Sequence, residues 1–177
     1  MAKQTTTLHG VFMEVMGLGV LLSGVSGVGK SELALELLTR GHRLIADDAP
    51  IFSRLAEDVV EGVCPPPLHD FLEVRGLGVI NVRAMYGDGA ITDRAVLQLV
   101  VHLQWMRDDE LVNLDRLRAS KDDVRVLGVA VPRILLPVAA GRELAVLAEA
   151  AVRSHMLAVG GYDAAEDFTR RQQRYMS

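Results

Sequence analysis

A chain of 177 residues, 50% hydrophobic and 24% charged, is sized and composed for one globular domain with its own core. Its net charge of −4 argues against a nucleic-acid partner, because nucleic-acid binders carry a basic excess on one face. The single cysteine, Cys64, excludes an internal disulfide. No apolar run is long enough to span a membrane, so the chain reads as cytoplasmic.

Residues 1–8 open with a polar tract and are expected to be a flexible start or the remnant of a linker; residues 9–177 are expected to be one catalytic domain. Val11–Val15 and Leu18–Ser23 read as strands. Lys30–Arg40 carries Leu33, Leu37 and Leu38 at helical spacing, and Gly41 stands where a helix C-cap belongs. Arg43–Ala46 is a short strand ending in Asp47-Asp48. Strand, loop, helix and strand make a βαβ unit with a parallel crossover, and the Asp pair is expected on the strand beside the loop strand. Pro65-Pro66-Pro67 marks a loop. Val79–Val82, Ala95–Leu103, Val124–Val131 and Arg133–Val138 read as strands, and Arg107–Asp123 as a charged surface loop or short helix. Helical spacing returns at Leu144–Val152 and Ala164–Arg174. Many strands follow the first unit without intervening helices, which predicts a mixed sheet.

One motif carries chemistry on its own. Gly24, Val25, Ser26, Gly27, Val28, Gly29, Lys30 and Ser31 complete a P-loop between a buried strand and a helix. The glycines let successive N–H groups face one anion, and the helix presents its positive end to it. Lys30 supplies a mobile cation for the outer phosphates, and the Ser31 hydroxyl can ligate a phosphate-bound Mg²⁺. The pattern implies ATP, or a related donor, with Mg²⁺ as cofactors. Asp47 and Asp48 end a strand on the same edge, where a carboxylate can accept a proton from an attacking hydroxyl. Adjacent carboxylates point to opposite sides, and their mutual repulsion is expected to raise one pKa. From spacing alone His9 is a strand-start histidine, Glu73 and Arg75 could pair across one face, and Arg116 could be a solvated loop arginine.

Three blocks in order resemble one family: His9-Gly10 with GLGVLLSGVSGVGKSELALEL over 17–37, RGHRLIADD over 40–48, and LEVRGLGVINV over 72–82. Together they resemble the catalytic domain of HPr kinase/phosphorylase, from His9 to about Phe168. The resemblance implies an α/β P-loop domain with a mixed sheet like that of phosphoenolpyruvate carboxykinase. It implies a bacterial kinase that uses ATP or pyrophosphate to phosphorylate a serine of the phosphocarrier HPr, with reverse phosphorolysis in many members, and assembly as hexamers. Carried over residue by residue, Lys30 binds phosphate, Ser31 and Glu73 bind the metal, and Asp48 is the general base, with Asp47 second. His9 lies at the active site, Arg75 and Gly76 complete the signature, and Arg116 is an active-site arginine. Residues 137–142 match a loop important for dephosphorylation. There the sequence reads PVAAGR, and Ala139 and Ala140 stand where members often have arginine and proline, which predicts weak phosphorolysis. Members commonly carry a further N-terminal domain. Two other readings of the loop alone are a kinase for a small molecule and a nucleotide-binding regulatory module.

Overall fold

Short β-branched runs separated by glycine turns set the strands, and one amphipathic stretch sets the first helix. The computed structural model describes residues 4–177; the part of the expected flexible start at residues 1–3 lies outside the described residues. β1 (Thr5–Thr7) and β2 (Val11–Val15) precede β3 (Leu18–Ser23). Met16 and Gly17, at φ 53° and 82°, join β2 to β3 in the left-handed turn that suits a two-residue hairpin. Thr5–Thr7 is therefore not frayed: it pairs antiparallel with Ile51–Ser53.

The phosphate loop leads into α1 (Lys30–Thr39), which buries Leu33, Ala34, Leu37 and Leu38 on one face. β4 (Arg43–Ala46), β5 (Ile51–Ala56) and β6 (Val59–Val63) follow. β7 (Phe71–Val74) and β8 (Gly78–Asn81) form a hairpin outside the main sheet. The strand expected over 79–82 stops at Asn81, because the Asn81 side chain accepts the Ala84 N–H and caps α2 (Val82–Tyr86).

β9 (Arg94–Trp105), α3 (Asp108–Val112), β10 (Lys121–Val126) and β11 (Val129–Val138) come next, then α4 (Leu144–Val159) and α5 (Ala164–Met176). The break expected at Pro132 falls instead at Leu127-Gly128, with φ 50° and 82°. Pro132 sits inside β11, ahead of the stretch paired with β9 that begins at Arg133, so the prolyl nitrogen removes no bond from that ladder.

Seven strands of the nine-stranded sheet run in the order β1-β5-β6-β9-β3-β2-β4, and β11 and β10 continue from the second half of β9. β9 runs parallel to β3 and β11 and antiparallel to β6, so the sheet is mixed as expected. One expectation needs correction. β3 and β4 are parallel but not neighbours, because β2 lies between them antiparallel to both. The start of β2 is thereby brought to the edge where β3 and β4 end, which carries His9 there too.

The core occupies both faces of the sheet. Leu22, Leu33, Leu37, Val101 and Leu136 pack on the α1 and α4 side. Phe12 and Phe52 meet on the other, edge to face with ring centroids 5.0 Å apart. α4 is tied to the end of α1 by Glu149, which accepts from Arg40 Nε and Nη2, each at 2.6 Å, and lies 2.8 Å from His42 Nε2. The Arg40 guanidinium is the main cause that holds the Glu149 carboxyl down at about 2, against an ordinary 4.5. A depressed folded pKa stabilises the fold above the unfolded value. This clamp is therefore complete above about pH 4.5 and is lost as pH falls towards 2. Glu149→Gln is expected to cost about 1–2 kcal/mol at pH 7, a discounted figure because Arg40 is partly exposed. In thermal unfolding that is a fall of about 2–8 °C at pH 7 which shrinks below pH 4; an equal fall at every pH would remove the charge from the account.

Among the described residues no single helix is long and apolar enough to cross a membrane. α4 and α5 together reach that length, but 76° separates them and α4 buries Ala145, Ala148 and Val152 in the core.

Candidate active site

The site is built where β2, β3, β4 and the β7–β8 hairpin converge. Gly24 leaves β3 at φ 144°, and a Cβ on it would lie 2.6 Å from the Leu103 carbonyl oxygen and 2.9 Å from Val28 Cγ1. Only glycine lets the chain pass β9 that closely. Val28 is buried beneath the loop while Val25 stands exposed at its tip. Gly29, at φ 110°, opens α1, and no side chain caps the first turn. The N–H groups of Lys30, Ser31 and Glu32 are thus left for an anion, at the positive end of a ten-residue helix. Lys30 Nζ donates to the carbonyl oxygens of Gly24 and Val25 at 2.8 and 3.0 Å, which holds the ammonium over the loop with a further proton to give.

Facing the loop is the end of β4. Asp48 takes φ 65°, a left-handed conformation that aspartate tolerates better than most residues. Its side chain is 82% exposed, and its Oδ1 lies 3.8 Å from Nδ1 of His9, itself 90% exposed. Asp47 turns the other way. Its Oδ2 accepts the Glu73 N–H at 2.8 Å, fastening the end of β4 to the hairpin. The carboxyl raised above its ordinary range is Asp47, and the first cause is burial; the Asp48 charge is a lesser one. This corrects the expectation that repulsion between the pair sets the shift.

The hairpin supplies two more groups by simple alternation. Leu72 and Val74 are buried in the core, so Glu73 faces outward to the cleft. The Arg75 guanidinium reaches over the loop: a Cβ on Gly27 would be 3.3 Å from its Nη1. No ion pair joins Glu73 and Arg75 among the described residues, so the same-face salt bridge is not formed. Gly76, at φ 90°, turns the hairpin.

His9, Gly24, Ser26, Gly27, Gly29, Lys30, Ser31, Asp47, Asp48, Glu73 and Arg75 together line a cleft of about 420 Å³. Glu32 also lines it, although a first-turn glutamate gives no signal of its own in the sequence. Asp47, Asp48, Glu73 and Glu32 outnumber Lys30 and Arg75 there. A polyphosphate would be repelled by those carboxylates unless a divalent cation stood between. No three His, Cys, Asp or Glu side chains converge as a ready-made metal site among the described residues. Ser31 and Glu73 are hard oxygen donors, and so few of them fit Mg²⁺, which keeps water and takes phosphate oxygens for most of its shell.

Arg116 is not brought to this cleft. It lines a separate hollow with Ser120, Leu135, Leu147 and Ala151. Arg142 and the end of the 137–142 loop lie by Glu36, Thr39 and Arg40, away from the phosphate loop. Cys64 is buried, and burial pushes its thiol up to about 11, so it is a packing residue.

The family described as HPr Serine kinase C-terminal domain matches residues 1–172. The chain belongs to this family. It is 48% identical over 172 residues to the HPr kinase/phosphorylase of Chromobacterium violaceum, covering 97% of this chain and 54% of that protein. It is 54% identical over 174 residues to that of Aromatoleum aromaticum, covering 98% and 55%. This HPr serine kinase C-terminal domain thus spans about half the length of the curated relatives it matches. Its fold superposes on the Hpr(Ser) kinase/phosphatase from Coxiella burnetii with a TM-score of 0.80 and 33% identity, over 92% of this chain and 98% of that one.

Proposed function

We propose that this domain transfers a phosphoryl group from ATP or pyrophosphate to a serine of HPr or a paralogous phosphocarrier protein. The observation that carries the reading is the meeting of an uncapped helix start, Lys30, Ser31, Asp48, His9 and Glu73 in one cleft of a chain from this family. The loop amides and Lys30 hold and neutralise the donor phosphates. Ser31 and Glu73 would hold Mg²⁺, which when bound supplies charge neutralisation on the phosphates. Asp48 accepts the proton of the incoming serine hydroxyl as the oxygen attacks phosphorus in line and the bond from phosphorus to the donor's bridging oxygen breaks, releasing ADP or phosphate; in the reverse direction it returns the proton to the serine oxygen. His9 beside Asp48 orients that carboxylate. Asp47 fixes the hairpin and so positions Glu73. Most of the acceleration comes from placement and electrostatics. The active assembly is a homohexamer working in the cytoplasm, and Arg116 acts from outside the cleft described above.

The direct test mixes the protein with HPr, Mg²⁺ and γ-labelled ATP. Label is expected on one serine of HPr; label on no protein, with turnover of small molecules instead, would replace the reading with that of a metabolite kinase. Run in reverse with phospho-HPr and phosphate, the reaction is expected to be at least about tenfold slower, because Ala139 and Ala140 offer neither an arginine fork nor a rigid loop. Equal forward and reverse rates would refute that role for the loop.

A further inference from the structure

We infer that His102 is a positioning residue: through Ser23 it holds the first residue of the phosphate loop so that the Lys30 ammonium is correctly seated. The inference rests on the reading of residues 24–31 as the phosphate site and names a part of its machinery that lies outside the cleft.

β3 and β9 run parallel with Ser23 opposite His102. Residues in register on neighbouring strands project from the same face. Ser23 Oγ lies 2.9 Å from His102 Nδ1, in a partly buried position. The next residue along each strand continues the contact through backbone, since Gly24 is pressed against the Leu103 carbonyl. Two successive residues of β9 therefore clamp two successive residues at the exit of β3. The second of these, Gly24, offers its carbonyl oxygen to Lys30 Nζ at 2.8 Å, and Val25 offers its own at 3.0 Å. The direction of the ammonium is set by those two oxygens, and the Gly24 oxygen is held by the clamp.

The ring is suited to the task. Burial lowers its pKa, Arg133 and Lys30 lower it further, and Asp122 opposes them, which leaves a neutral imidazole at neutral pH. A hydroxyl both donates and accepts, so Ser23 pairs with Nδ1 in either tautomer. His102 lines its own hollow with Gln104, Asp122 and Arg133, and neither it nor Ser23 lines the phosphate cleft. With the ring neutral, His102 places no charge near Lys30, and its effect on phosphate affinity travels through the loop backbone.

The test is calorimetric binding of pyrophosphate with Mg²⁺ to the full chain, with thermal unfolding measured on each variant. The unmodified protein is expected to bind and Lys30→Ala to fail. Ser23→Ala and His102→Leu are each expected to weaken binding about tenfold, and the double variant no more than the worse single one, as for two residues acting through one contact. His102→Asn keeps a polar atom at the place of Nδ1 and is expected to return to within about threefold of the unmodified protein. Unchanged affinity in His102→Leu or Ser23→Ala overturns the inference. So do losses that multiply to about a hundredfold in the double variant, or a His102→Asn as weak as His102→Leu. If His102→Leu does not fold, Ser23→Ala and His102→Asn decide the matter. Failure of the unmodified protein to bind pyrophosphate overturns the phosphate-site reading itself, and this inference with it.

Discussion

Lys30→Ala is expected to lower kcat/KM for phosphoryl transfer by about 10³-fold, equivalent to about 4 kcal/mol of lost transition-state stabilisation, and to remove measurable pyrophosphate binding. The size follows from the charge count of the cleft. Lys30 and Arg75 are the two fixed cations among its lining residues, set against four carboxylates, so losing one leaves a lining that repels the donor. The loop amides alone do not compensate, because they supply partial charges only. The ammonium also bridges the Gly24 and Val25 carbonyls, so the variant relaxes the loop as well as removing a charge. Lys30→Met keeps the aliphatic stem but loses both the charge and the donor, so an equal fall in the two variants assigns the loss to the ammonium and not to the stem. Calorimetry with Mg²⁺ and pyrophosphate, beside rates measured with HPr, checks the prediction; full activity in both variants would take the loop out of the mechanism.

Asp48→Asn is expected to lower transfer by about 10²–10⁴-fold while nucleotide affinity stays within about threefold, the signature of a lost general base. The substitution is unusually clean. Asp48 is exposed, and asparagine accepts the left-handed φ of 65° at least as well as aspartate does. Among the described residues no hydrogen bond of the Asp48 side chain holds a neighbouring element, in contrast to Asp47, which accepts from the hairpin backbone. Asp47→Asn should therefore act on hairpin placement, with a smaller loss of transfer. The two variants compared in one assay assign the base: a deeper loss in Asp47→Asn than in Asp48→Asn would move the role to Asp47.

The phosphate loop, the helix behind it and the mixed character of the sheet were legible in the sequence because each depends on neighbours in the chain. Glycines, Lys30 and Ser31 lie within eight residues of one another, and the stripe of α1 repeats at helical spacing. The three signature blocks likewise point to the family, because each is a run of neighbouring residues. Strand boundaries around Pro132 and Val82 are not legible locally, because register and a side-chain cap, at Arg133 and Asn81, decide them. Only the tertiary structure shows why His9 and Asp48 meet: β2 inserts antiparallel between β3 and β4 and returns its start to the edge where both end. Only it separates the aspartate pair into an exposed carboxylate and a half-buried one tied to Glu73, and only it joins Ser23 to His102, seventy-nine residues away. The physical reason is common to all three. Local spacing fixes which atoms a segment can offer, whereas strand order fixes which segments share an edge, and strand order is set by burial summed over the whole sheet.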